Sequence, residues 1–234
     1  MKRRGFIAGA SAALAAALAA CSKPKPIAPP VAPPPAPPKA TAVASASSSA
    51  PPNWELIDTL QNVPDTVRVS LKTTKGEIII ELDGKHAPIT VNNFLRYVDS
   101  GKLDGANFWR AASSGPSGFV QATAKGPTYP PIRHESTKET GLSHTDGTLS
   151  MSRFAPGTAT ADFIICVGDN TFLDAGQGGS DDKLGYAAFG HVVKGMAVVH
   201  AILEGKIDKH TREGGWAGQM LAKPVDILSA KRLT

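Results

Sequence analysis

From Val67 onward, short apolar runs alternate with turns rich in Gly, Pro, Asn and Asp, and only two stretches carry helical spacing. That punctuation limits the fold more than any other feature. Val67, Val69 and Leu71 alternate with Arg68, Ser70 and Lys72, the period of a half-buried strand. Thr73-Thr74-Lys75-Gly76 reads as a turn and Glu77 to Leu82 as the returning strand of a hairpin. Phe108 onward and Phe119-Val120 predict a second pair of strands. Gly147 to Met151, Phe163 to Val167 and Ala187 to Val193 predict three more, and Val225 with Ile227 opens the last. Phe163 to Val167 is apolar throughout, so it should be buried on both faces. One helix opens at Pro88 and Thr90, places Val91, Phe94, Leu95 and Val98 on one face, and stops at Gly101. Met196, Val199, Ile202 and Leu203 outline a second, ended by Gly205. Many short strands with two separated helices point to a mostly β fold in which the sheet closes into a barrel, because closure removes exposed edges. An interior of about eight strands is filled by side chains. A binding site then belongs on the outer surface.

The first 63 residues are of a different kind. Lys2-Arg3-Arg4 precedes an Ala-rich apolar stretch from Phe6 to Ala20, short of the roughly 20 residues a spanning helix needs. It reads as an export signal. Leu18-Ala19-Ala20-Cys21 looks like a bacterial lipobox, and Arg3-Arg4-Gly5-Phe6-Ile7 is similar to a twin-arginine motif. The expectation is a signal peptide over 1–21, lipidation at Cys21, and a lipid-anchored protein of a bacterial cell envelope facing the periplasm. A plain secretory signal with an incidental cysteine is the alternative. Residues 22–63 form a Pro- and Ala-rich tether with a transitional segment from Trp54 to Val63. The tether has too few large apolar residues for a core and favours polyproline II. Residues 64–234 form the globular domain. The formal charge is +5, but residues 1–53 hold six of the 25 Lys and Arg and none of the 20 acids. The globular part is therefore nearly balanced, which argues against nucleic-acid binding. Cys166 lies in an apolar run and reads as a small buried hydrophobe.

Chemistry concentrates between Phe108 and Gln121. Arg110 follows two aromatics, and Gln121 closes the run Phe119-Val120. On neighbouring strands, a cation and an amide would share an apolar pocket suited to a neutral peptide group. The six histidines, His86, His134, His144, His191, His200 and His210, show no ligand spacing and read as scattered surface residues. No metal and no cofactor is expected. The Gly- and Asp-rich segment Gly176 to Gly185 lacks the Lys-Ser/Thr ending of a phosphate loop and reads as a surface excursion. A nucleophile elbow of the Gly-x-Ser-x-Gly type is absent from the sequence.

Four blocks stand in order between Val67 and Leu203: Thr73 to Ile78 with Ala87 to Phe94; Phe108-Trp109-Arg110 with Gly118 to Gln121; Gly147 to Met151 with Thr158 to Ile165; and Phe172-Leu173-Asp174 with Gly185 to Gly190 and Val192 to Met196. Together they resemble the cyclophilin-type peptidyl-prolyl cis-trans isomerases. The resemblance implies a closed eight-stranded antiparallel β-barrel capped by two α-helices. It implies that Arg110 is the catalytic arginine and that Gln121 contacts the substrate backbone. Phe108, Phe119, Met151, Ser152, Asp162, Ile164, Phe172, Leu173 and Tyr186 are then the substrate-binding positions. Partners would be proline-containing polypeptides, with a cyclosporin-binding surface, a monomeric state and membrane attachment through the N-terminal lipid. Departures from the pattern are Trp109 for histidine or tyrosine, Ala122-Thr123-Ala124 for a glycine pair, Asp162 for glutamine, and Ile164 for the phenylalanine that floors the proline pocket. They favour, as alternatives, a peptide-binding or chaperone module of weakened catalysis. A purely structural envelope lipoprotein is the other alternative.

Overall fold

Residues 63–210 and 216–233 are described by the structure, a computed structural model. The leader, Cys21 and the tether up to residue 62 lie outside them. Eight strands form: β1 (Thr66–Thr73), β2 (Gly76–Asp83), β3 (Asn107–Ser114), β4 (Ser117–Thr123), β5 (Thr148–Met151), β6 (Phe163–Val167), β7 (Ala187–Lys194) and β8 (Met220–Leu233). They close into an antiparallel barrel in the order β1-β2-β7-β5-β6-β4-β3-β8. Every predicted strand is present. The first hairpin turns at Gly76, whose φ of +137° few side chains tolerate and where a Cβ would stand 2.8 Å from Val198.

Among the described residues, three α-helices accompany the barrel: α1 (Pro88–Asp99), α2 (Thr137–Thr140) and α3 (Met196–Leu203). The predicted face of α1 is its buried face, and Phe94 enters the core edge-on to Phe163 with ring centroids 5.2 Å apart. Pro88 supplies the first turn, where a missing N–H does no harm. The N–H groups of Ile89 and Thr90 are satisfied by the Glu135 carboxylate at 3.1 and 2.8 Å. This is a cap brought from a distant loop, with its negative charge at the positive end of the helix. Burial still pushes the Glu135 carboxyl above the ordinary carboxylate value. α3 buries Val199 and Ile202 in the same core. α2 falls where the sequence suggests only turns. One helical turn is too short to show a period.

Cross-strand register sorts side chains into two parallel rows. Phe108, Ala122, Phe163 and Met151 are successive partners across β3, β4, β6 and β5, and all four are buried in the core. Arg110, Gln121, Ile164 and Ser150 form the next row across the same strands. Period two along each strand makes this second row face outward.

Candidate active site

Arg110 reaches the outer face because β3 carries an extra residue. The register steps from Phe108 opposite Ala122 directly to Arg110 opposite Gln121, leaving Trp109 as a bulge. Without it Phe108 and Arg110 would share one face. With it Phe108 fills the barrel while Arg110 points away. β8 accommodates the same irregularity, jumping from Val225 to Met220 past Pro224, which cannot donate to a ladder.

Beside Arg110 lies an apolar cluster separate from the main core. Ile164, Cys166 and Leu173 are its buried members, and Phe119 and Tyr186 pack on it half-buried. The arginine joins the polar row to this cluster, since its Cζ lies 4.9 Å from the centroid of the Phe119 ring. Gln121 Oε1 accepts from Arg110 Nη1 at 2.8 Å. Gln121 Nε2 donates in turn to Asp162 Oδ1 over a long 3.5 Å. Two further contacts come from a segment outside all four sequence blocks. Gln219 Oε1 accepts from Arg110 Nε at 2.7 Å and also from Nη2, and the Trp216 ring lies under Cζ at 4.2 Å. Burial lowers the guanidinium pKa to about 10. It therefore remains protonated at neutral pH. Burial also raises the Asp162 carboxyl, against hydrogen bonds from Gln121 and Thr123.

The structure thus brings together Arg110, Phe119, Gln121, Asp162, Ile164, Leu173 and Tyr186. Two expected groove residues are corrected. Phe108 and Met151 point into the barrel and present no surface to a bound chain. Phe172 is 51% exposed and is not one of the buried or half-buried residues that form the apolar cluster. Ser152 is half-buried, its N–H bonded to the Asp162 carbonyl at 2.9 Å. Gln219 and Trp216 were missed, because nothing in local spacing links them to Arg110.

The surface assignment of the histidines fails at His144, which is fully buried. Its Nδ1 meets Asp174 Oδ1 at 2.5 Å and its Nε2 meets Ser150 Oγ at 2.7 Å. The order of groups is that of a hydrolytic triad, but Ser150 is as inaccessible as the histidine. No substrate reaches it, so the network is structural. Burial lowers the imidazole pKa despite the carboxylate. A neutral ring donating to Asp174 and accepting from Ser150 satisfies both contacts. Among the described residues, no three His, Cys, Asp or Glu side chains converge as a metal site requires.

The fold and the site together define an antiparallel barrel that carries a charged donor beside a small apolar cluster on its outer wall. The sequence model of the family described as "Cyclophilin type peptidyl-prolyl cis-trans isomerase/CLD" matches residues 67–232. The chain is 38% identical over 170 residues to peptidyl-prolyl cis-trans isomerase A of Dickeya dadantii, covering 71% of this chain and 84% of that protein. It is 39% identical over 171 residues to the isomerase cyp18 of Streptomyces antibioticus, covering 70% and 98%. Its fold is similar to a cyclophilin type peptidyl-prolyl cis-trans isomerase of Cryptosporidium parvum, solved in the presence of the dipeptide Ala-Pro. There the TM-score is 0.57 at 18% identity, over 71% of this chain and 99% of the other. The chain belongs to the cyclophilin-type peptidyl-prolyl cis-trans isomerases and is an enzyme of that class.

Proposed function

We propose that this enzyme isomerises X–Pro bonds of exported polypeptides on the slot beside Arg110, held at a bacterial envelope membrane by a lipid on Cys21. The observation that carries the catalytic part is the placement of Arg110 over Phe119, whose ring packs on the apolar cluster of Ile164, Cys166 and Leu173. A proline ring seated on that cluster lies next to the guanidinium.

Rotation about the X–Pro amide crosses a barrier of ~18–20 kcal/mol because the bond is conjugated. No covalent bond needs to break. In the twisted state the nitrogen lone pair is freed, and a donor aimed at it binds the twisted form better than the planar one. Arg110 uses three of its five N–H groups on Gln219 and Gln121. One N–H on each of Nη1 and Nη2 is left for the substrate amide. Gln121 and Asp162 offer polar contacts to its backbone. A charged hydrogen bond in a partly dry site supplies a few kcal/mol, or roughly 10²–10³ in rate.

Arg110→Ala is expected to lower kcat/KM on an X–Pro tetrapeptide at least about tenfold, with the thermal midpoint retained. Equal rates in a protease-coupled assay remove Arg110 from the mechanism. Ile164 favours a second reading, in which the site binds peptides more than it turns them over, because an aliphatic floor holds a proline ring with less contact area than an aromatic one. A wild-type rate no higher than the uncatalysed exchange selects that reading. Cyclosporin competing in the same assay identifies the slot as the site. For the anchor, Cys21→Ser should move the protein from the membrane to the soluble fraction, and unchanged partitioning sinks the lipid assignment.

A further inference from the structure

Gln219 lies 109 residues from the arginine it contacts. Its backbone is fixed independently of its side chain. The Gln219 carbonyl accepts from the Ala111 N–H at 2.9 Å, and its own N–H closes a turn on the Trp216 carbonyl at 3.0 Å. The next residue, Met220, is the ladder partner of Arg110. The turn leading into β8 therefore delivers a glutamine amide and an indole to one side of the guanidinium.

We propose that Gln219 and Trp216 are positioning residues for the isomerisation: Gln219 sets the rotation of the Arg110 guanidinium, and Trp216 shields it from water. The inference rests on Arg110 being the catalytic residue. A guanidinium on a free three-methylene stem samples many rotamers, whereas the lone pair it must meet exists only while the amide is twisted. The donor must therefore be oriented beforehand. Gln219 Oε1 holds Nε and Nη2 together, which fixes one edge of the fork. Gln121 holds Nη1. The rotation about the last bond is then determined, and the remaining N–H groups have one direction. An amide oxygen does this without cancelling the positive charge, which a carboxylate at the same place would pair. Trp216 lies against the guanidinium at 4.2 Å and is itself braced edge-on by Trp109, with centroids 6.2 Å apart. An indole there keeps water off the cation and strengthens the remaining hydrogen bonds.

The test is kcat/KM and peptide affinity on the full chain, using one X–Pro tetrapeptide. Gln219→Ala is expected to lower kcat/KM about tenfold, the scale of a misoriented catalytic group, while peptide affinity changes less than about twofold. Gln219→Leu, which keeps volume and loses the acceptor, should match it. Adding Gln219→Ala to Arg110→Ala should cause no further loss, since residues acting through one group are not additive. Trp216→Phe should retain about half the rate or more, and Trp216→Ala should fall with Gln219→Ala. Wild-type rates in both Gln219 variants, with Arg110→Ala impaired, overturn the proposal and leave Arg110 catalytic. Losses that multiply in the double variant overturn it too, because Gln219 then acts elsewhere. A wild-type rate in Arg110→Ala instead removes the reading beneath it.

Discussion

Arg110 is a cation held where burial works against charge, and its pKa still lies near 10. Its charge does not titrate around neutrality, so kcat/KM should be flat between about pH 6 and 8 unless another group intervenes. A step in that window would assign a second titrating residue to the mechanism. Asp162 is the opposite case. Burial raises its carboxyl, so the folded state holds a proton at pH values where the unfolded chain has lost it. Stability then falls as pH rises through that window, and at neutral pH the ionised group is a standing cost. Asp162→Asn is expected to raise Tm at pH 7 and to leave it unchanged near pH 3, below the ordinary Asp value of about 3.9. Thermal melts at the two pH values check this, and no gain at pH 7 refutes it. His144 has the reverse dependence. It stays neutral in the fold below its ordinary value of 6.5 while the unfolded chain takes up a proton, so stability is lost as pH falls through that range. A His144→Gln variant should lose less stability than wild type between pH 7 and 5.

Two elements do more than connect. The bulge at Trp109 lets one strand put Phe108 in the core and Arg110 on the wall. Deleting Trp109 should force one of them onto the wrong face, abolishing isomerisation and lowering stability together. Trp109→Ala keeps the extra residue, so Arg110 should stay outside and most of the activity survive. The segment from Gly176 to Gly185 was legible as a surface excursion, but not its anchor. Arg153, with a side chain only 1% exposed, donates to both Asp182 oxygens at 2.7 and 2.9 Å and to the Gly185 carbonyl at 3.1 Å. It holds the Asp182 carboxyl well below the usual range. That contribution is present above the ordinary Asp value and fades as pH falls. Arg153→Ala is expected to destabilise the fold by about 1–3 kcal/mol, from the buried Gly185 carbonyl left without its donor. It should also expose the loop to protease. Denaturant melts with limited proteolysis read both effects, and unchanged cleavage there would mean the loop is held by something else.

At the scale of the whole molecule, strand pairing closes the barrel with residues 66 to 233 alone. A chain lacking residues 1–62 should therefore keep its kcat/KM on a small soluble peptide. A large loss would give the leader or tether a part in catalysis.

What the sequence determined by itself is what short-range physics sets. Alternation in Val67 to Leu71, the face of α1 and the turn glycines require only neighbouring residues, and closure follows from having many strands and no tolerable edge. That Arg110 follows two aromatics is equally local, whereas its place opposite Gln121 needs the register step at Trp109. The tertiary structure decided the rest. Whether Phe108 and Met151 point inward, whether His144 is buried, and which distant residue grips the arginine depend on register between strands far apart in the chain. A one-residue shift in register reverses every side chain on a strand, and no local period carries that information.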